Sequence, residues 1–261
     1  MHPILFQFGP FTIYSYGAML VVAFLAATGL AGRAARRMPQ GLVAISADQL
    51  VDFSCWSLAG GILGARLLYV LLQWDAFRRD PWEMPAIWHG GLVWYGGFLG
   101  GLLAAWLFVR AKRLAFLRVM DQFIPFLALG HALGRLGCFL NGCCFGKPTD
   151  AWCGVLFPDR GGRVYPTQLF EAAALFLLYA VLRSLQRQAI LARPGRLFGL
   201  YLVAYAGLRF GVEFFRGDQA IWWAGLTLQQ VISLGIFAFG VGLIKATTKG
   251  CHRVTKSPRH R

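Results

Sequence analysis

Gly90–Val109 reads GGLVWYGGFLGGLLAAWLFV, twenty residues without a charge. The hydrocarbon core of a bilayer is about 30 Å thick, and an α-helix crosses it in about 20 residues. This stretch therefore predicts a transmembrane helix. Working outward, comparable apolar stretches occur at Thr12–Gly32, Leu50–Leu72, Gln122–Leu140, Gln168–Leu185, Leu197–Phe215 and Trp222–Ile244. The expectation is an all-α integral membrane protein with about seven transmembrane helices. Residues 1–246 form one polytopic domain, and residues 247–261 a basic cytoplasmic tail. The long connections, Gln73–His89 and Asn141–Thr167, hold no room for a soluble domain.

Composition agrees. Of 261 residues, 57% are hydrophobic and 14% charged, against about 25% charged in a soluble domain. Mean hydropathy is +0.54. A disordered chain is excluded. The net charge of +15 could indicate nucleic acid, but in an apolar chain it reflects cytoplasmic loops rich in Lys and Arg. No nucleic-acid partner is expected. Six cysteines in so long and apolar a chain do not make a secreted disulfide scaffold. No residue before Arg33 is positively charged, so the first apolar stretch reads as a span and not as a cleaved signal peptide.

The basic residues set the orientation. Arg33, Arg36 and Arg37, then Arg110, Lys112, Arg113 and Arg118, then Arg183, Arg187, Arg193 and Arg196 occupy alternate loops. The tail adds Lys245, Lys249, Arg253, Lys256, Arg259 and Arg261, which makes seventeen on one side. The other side carries six: Arg78, Arg79, Lys147, Arg160, Arg163 and Arg216. The richer side faces the cytoplasm. The N-terminus is then outside and the C-terminus inside.

Three arginines remain, Arg66, Arg135 and Arg209, all within expected spans. An ionisable residue there is costly and marks a functional candidate. Arg135 lies 14 residues past Asp121, about 21 Å up the core at 1.5 Å per residue. Arg209 reaches a similar height in its own span. Tyr14, Tyr16, Tyr95, Gln168, Glu171 and Glu213 also fall in the outer halves, while the inner halves are almost wholly apolar. Tyr205, Arg209 and Glu213 are spaced by four and share a helix face. Three arginines against Glu171 and Glu213 leave positive charge in excess. A guanidinium grips phosphate in a bidentate fork, so a lipid phosphate is the expected counter-ion.

The segment His131-Ala-Leu-Gly134-Arg135-Leu-Gly137-Cys138-Phe-Leu-Asn141-Gly142-Cys143-Cys144 is the densest in polar side chains. Its glycines are expected to loosen the end of the fourth span, and Asn141 offers an amide. No second CxxC and no spaced His pair supports a metal site. Cys138, Cys143, Cys144 and Cys153 would suit a membrane thiol-disulfide oxidoreductase, a structural disulfide, or simple packing. His89 opens the third span and is of the residue type that acts as a base near neutral pH. Pairs of small residues four apart, Gly60/Gly64, Gly96/Gly100, Gly97/Gly101, Gly130/Gly134 and Gly207/Gly211, let helices approach closely.

Six segments, in order, carry a resemblance: Tyr14-Ser15-Tyr16-Gly17; Gly64-Ala65-Arg66-Leu67-Leu68-Tyr69; Gly90-Gly91-Leu92-Val93-Trp94-Tyr95-Gly96-Gly97; Gly134-Arg135-Leu136-Gly137-Cys138-Phe139-Leu140-Asn141-Gly142; Tyr165-Pro166-Thr167-Gln168-Leu169-Phe170-Glu171; and Leu208-Arg209-Phe210-Gly211-Val212-Glu213-Phe214-Phe215-Arg216. Through them nearly the whole chain resembles the bacterial prolipoprotein diacylglyceryl transferases. The resemblance implies a multi-pass protein of the bacterial inner membrane with its active site toward the outer leaflet. It implies transfer of the diacylglyceryl group of phosphatidylglycerol to the lipobox cysteine of a prolipoprotein signal peptide. A thioether forms and glycerol phosphate leaves. The substrate supplies the thiol, so no cofactor and no cysteine of the enzyme is required. The resemblance and the reading of the residues together give Arg135, Arg209, Glu213, Tyr95 and His89 as candidate catalytic residues, His89 as a substitute base. The implied substrate-binding residues are Arg135, Arg66, Tyr16, Asn141, Gln168 and Glu171.

This chain departs from the family at three positions. Tyr95 stands where the family commonly has His, its proposed base, and tyrosine is a poor base at neutral pH. Cys138 replaces a common Asn, and Cys143 a common Glu.

Overall fold

A computed structural model describes residues 3–8, 11–39, 43–157, 161–187, 193–217 and 219–254. His2, Arg160 and residues 255–261 of the expected basic tail, with Lys256, Arg259, His260 and Arg261, lie outside the described residues. The long helices are α1 (Ser15–Arg36), α2 (Ala47–Leu72), α4 (Trp94–Ala111), α5 (Phe116–Asn141), α6 (Thr167–Arg187), α7 (Arg196–Glu213) and α8 (Leu228–Val254); α3 (Trp74–Phe77) is a single turn. Each expected span falls on one long helix. Five of them, α1, α2, α5, α6 and α8, are long and apolar enough to cross a membrane. The other two, α4 and α7, have 18 residues each.

The chain is not purely helical. The described residues include three two-stranded antiparallel ribbons: β1 (Ile4–Phe8) with β2 (Phe11–Tyr14), β3 (Val155–Leu156) with β4 (Arg163–Val164), and β5 (Ile221–Trp223) with β6 (Leu226–Thr227). Thr12–Tyr14 and Trp222–Trp223 therefore belong to strands, not to the first and last spans. The β5–β6 turn places Ala224 and Gly225 at positive φ, 49° and 77°, which matches the right-handed twist of a tight hairpin.

Contacts divide the chain into two compact units, Ala31–Val119 and Met1–Leu30 with Met120–Arg261. In the first, Ser46 caps α2. Its hydroxyl accepts from Gln49 N at 3.2 Å, and the Gln49 side chain accepts from Ser46 N at 3.3 Å, a reciprocal capping box. α2 and α4 then pack backbone to backbone. A Cβ on Gly64 would strike the Gly96 carbonyl, and one on Gly100 the Gly60 carbonyl. These are the expected small-residue pairs. Gly91, at φ 77°, lies against the Tyr69 ring and has no room for a side chain.

The second unit is built on α5, α6, α7 and α8. Ile124, Ala128, Leu182, Leu197 and Tyr201 form a buried core. Gly130 and Gly137 of α5 face α1, where a Cβ would meet Ala27 Cβ at 3.4 Å and Met19 Cβ at 2.9 Å. The α5 glycines thus admit a neighbouring helix instead of loosening their own, which continues to Asn141. Gly207 and Gly211 meet nothing within 4 Å, so that pair makes no close helix contact.

Asp121 organises the other end of this unit. Its carboxylate accepts from Gly195 N and Phe198 N, at 2.5 and 2.8 Å, and so caps α7, whose first N–H groups lack helical partners. Pro125 sits inside α5 and cannot donate to the Asp121 carbonyl four residues earlier. Gln186 of α6 supplies the missing donor. Its side-chain amide reaches Asp121 O at 3.0 Å and Gln122 O at 2.9 Å.

Candidate active site

The polar cluster of the second unit grows from the last two turns of α5. Arg135 is four residues beyond His131 and three before Cys138, so all three share a face. The first turns of α6 bring Glu171 opposite. Its Oε1 lies 3.1 Å from Arg135 Nε and 3.8 Å from His131 Nε2, and Glu171 is buried. Tyr205 of α7 lies beside Arg135. Tyr205 packs its ring against His131 at 5.1 Å and stacks on Tyr201 at 5.8 Å. One turn along, Arg209 Nη1 meets Glu213 Oε2 at 2.8 Å. Thr227 then donates to Glu213 Oε1 at 2.9 Å while capping α8 with Gln230.

Two arginines thus face two carboxylates, and the pairs are close to neutral. The expected surplus of positive charge does not hold within this cluster. Arg135 has a carboxylate partner after all, on a helix remote in sequence. Tyr205 lies in the field of Arg135, Arg209 and Glu171 together, so the two ion pairs form one electrostatic unit. Buried pairs of this kind are costly to break on one side only.

After Asn141 the chain turns through Gly142, at φ 74°, and Cys144, at φ 64°. α6 holds this loop by its N-terminal residues. Thr167 Oγ1 donates to Cys144 O at 2.8 Å, and Gln168 Nε2 to Cys143 O at 2.5 Å. The Gln168 Oε1 atom is buried without a hydrogen-bond partner. Gly146 N bonds Tyr165 O at 2.8 Å, and Lys147 N bonds Phe215 O at 2.8 Å. A Cβ on Gly146 would meet Phe215 O, Tyr165 and Thr167 at 2.6–2.9 Å, so only glycine fits. A cavity of about 490 Å³ opens beside it, lined by Lys147, Arg163 and glycines 161, 162 and 217.

The loop also gathers three thiols. The Sγ atoms of Cys138, Cys143 and Cys144 all lie within 4.8 Å of one another. Asn141 reaches the Cys143 thiol. The neighbouring Cys138 and Cys143 thiols draw the Cys144 thiol below its ordinary range, and the Arg216 and Arg135 guanidinium groups act in the same direction. Cys55, Cys138, Cys143, Cys144 and Cys153 are free thiols, so no disulfide joins the cluster to Cys153.

Tyr16, at the start of α1, places its ring next to Gly137. Tyr16, Asn141, Gln168, Glu171, Arg135, Arg209 and Glu213 therefore all belong to the second unit. Arg66, Tyr95 and His89 belong to the first. Arg66 is buried and donates to four backbone carbonyls: Glu83 at 2.5 Å, Gly90 at 2.6 Å, Met84 at 2.8 Å and Gly91 at 3.3 Å. Its guanidinium also lies over the Tyr69 and Phe77 rings. His89 is exposed and pairs with Glu83 at 2.9 Å. Tyr95 is exposed in the first turn of α4.

Sequence reasoning left Thr167, Tyr205, Thr227, His131 and Gly146 out of the site. Two had a local signal. Tyr205 lies in the stripe with Arg209, and Thr227 precedes Gln230 at capping-box spacing. Thr167 and Gly146 act through contacts between remote segments and carry no such signal.

Long apolar helices, five of them able to cross a membrane, with arginine–carboxylate pairs buried among them, define an all-α membrane protein. The model of the prolipoprotein diacylglyceryl transferase family matches residues 3–246. The phosphatidylglycerol–prolipoprotein diacylglyceryl transferase of Clostridium tetani is 34% identical, over 92% of this chain and 98% of its own length. Those of Pseudoalteromonas atlantica and Legionella pneumophila are 37% and 36% identical over 93% of this chain, covering 88% and 96% of theirs. The chain belongs to the prolipoprotein diacylglyceryl transferase family.

Proposed function

We propose that this protein transfers the diacylglyceryl group of phosphatidylglycerol to the cysteine thiol of a prolipoprotein lipobox. The thiol sulfur attacks the glyceryl carbon bound to phosphate. A thioether forms, the C–O bond breaks, and glycerol phosphate leaves. The observation that carries this reading is the Arg135–Glu171 and Arg209–Glu213 cluster buried among apolar helices. A lipid phosphodiester is the anion that meets such a cluster from within a bilayer. Arg135 holds the phosphate by its fork, and Arg209 with Glu213 stabilises charge developing on the leaving group. Fixed donors in a dry site are effective at this task. Tyr16, Asn141 and Gln168 line the headgroup.

All seven long helices span the bacterial inner membrane on this reading, with the N-terminus outside and the active site toward the outer leaflet. The basic loops support the orientation. The decisive experiment incubates purified protein with phosphatidylglycerol and a lipobox peptide, then weighs the peptide by mass spectrometry. A gain of one diacylglyceryl group on cysteine is expected, with glycerol phosphate released. An unmodified peptide would refute the function. A reporter active only outside should be silent when fused after Arg261 and active within Gln73–His89. The opposite pattern would invert the orientation.

A further inference from the structure

The transfer reaction needs a thiolate; Tyr95 is a poor base at neutral pH, and His89 is exposed and already paired with Glu83. The second unit contains a different means of generating one. Cys138 is buried at the end of α5, three residues from Arg135, and Cys143 and Cys144 turn back beside it. Left-handed backbone is unfavourable for a non-glycine residue, yet Cys144 adopts it. Thr167 and Gln168 fix the carbonyls of Cys144 and Cys143, so the turn is built, with its three sulfurs grouped within 4.8 Å. Three thiolates around a tetrahedral zinc ion, with Zn–S near 2.3 Å, stand about 3.8 Å apart. Closing the cluster by about 1 Å would meet that spacing.

We propose that Cys138, Cys143 and Cys144 bind one thiophilic divalent cation of the zinc type, leaving a fourth position for the substrate thiol. Soft thiolates select such ions, and three protein ligands with one open position is the pattern of catalytic rather than structural zinc. Three thiolates and a dication carry one net negative charge, and Arg135, one turn before Cys138 on α5, carries the opposite sign. Resting on the transferase reading, the inference assigns the thiol activation that reading leaves open. A thiol that coordinates zinc loses its proton outright, here to solvent. The bound sulfur then donates its electron pair to the glyceryl carbon as the C–O bond breaks. The pair departs on the phosphate oxygen of glycerol phosphate, and the thioether, a weak ligand, dissociates. The ion stays divalent and nothing is oxidised.

The test uses full-length protein in detergent, reduced with a thiol-free reductant, stripped by chelator and titrated with Co²⁺ alone. Thiolate-to-cobalt charge transfer saturating at one equivalent is expected. It should be lost in Cys138→Ser, Cys143→Ser and Cys144→Ser, and kept in Cys55→Ser. Adding the lipobox peptide should intensify the band, and its Cys→Ser version should not. Absence of the band in the wild-type protein overturns the proposal, as does a band indifferent to these three residues. So does a reduced protein that binds no Co²⁺ and closes a disulfide on oxidation. Full lipidation by stripped protein would refute the metal and leave the transferase reading standing. A cobalt band without any lipidation would do the reverse.

Discussion

Arg66 and Arg135 are both arginines set in apolar helices, and their partners differ in kind. Arg66 spends its donors on the carbonyls of Glu83, Met84, Gly90 and Gly91. It closes the loop before α4 onto α2, with two aromatic rings over the guanidinium. Arg135 faces a carboxylate and a phenol at the end of α5, next to three thiols. Carbonyls that belong to the backbone cannot be exchanged for a ligand without opening the loop. A carboxylate and a phosphate compete for the same fork. The kind of acceptor, more than burial or charge, distinguishes the two arginines.

The largest effect on turnover should follow Arg135→Lys, which keeps the charge and loses the fork. The initial rate of peptide lipidation is expected to fall by about 10²-fold or more, the scale of losing one fixed donor to developing charge, while the thermal midpoint is nearly kept. Full activity would erase the distinction from Arg66. Next is Arg66→Met. It strands four carbonyls, at roughly 1–3 kcal/mol for each that stays buried without a donor. A clear drop in the thermal midpoint in detergent is expected before any specific loss of rate. A normal midpoint with no turnover would place Arg66 on the catalytic side of the comparison.

Much of this contrast lies beyond a local reading of the sequence. The helices were legible because twenty-residue apolar runs have few other uses. Arg209–Glu213 was legible because a spacing of four puts two side chains on one face. The Arg135–Glu171 pair joins two helices across a long loop, and no local pattern announces it. Arg66 was read with the others because its acceptors are backbone groups, which a sequence does not distinguish. The ribbons at Thr12–Tyr14 and Trp222–Trp223 were merged into spans because a short apolar run is ambiguous between strand and helix. The thiol cluster needed the left-handed turn at Cys144, and cysteine gives no warning of that geometry.

Smaller effects refine the comparison. His89→Gln removes an exposed pair with Glu83, worth about 0.2–1 kcal/mol in such settings. The pH–rate profile of lipidation should keep its shape, and a 10²-fold loss, typical of a missing general base, would return the proton to His89. Smallest of all is Gly207→Ala. The added methyl meets nothing within 4 Å, and helical alanine is favoured over glycine by roughly 0.5–1 kcal/mol. A slight rise in the thermal midpoint is expected, whereas Gly100→Ala, whose methyl would strike the Gly60 carbonyl, should lower it.

The bond from Gln186 to the carbonyl that Pro125 cannot serve makes two positions on different helices genetically interdependent. Gln186 is needed because position 125 is proline. With alanine at 125, α5 can donate to Asp121 from its own backbone, and the amide on α6 becomes dispensable for that carbonyl. A lineage could then lose the glutamine only after losing the proline. The reverse order would pass through a protein with an unserved carbonyl in the first turns of α5.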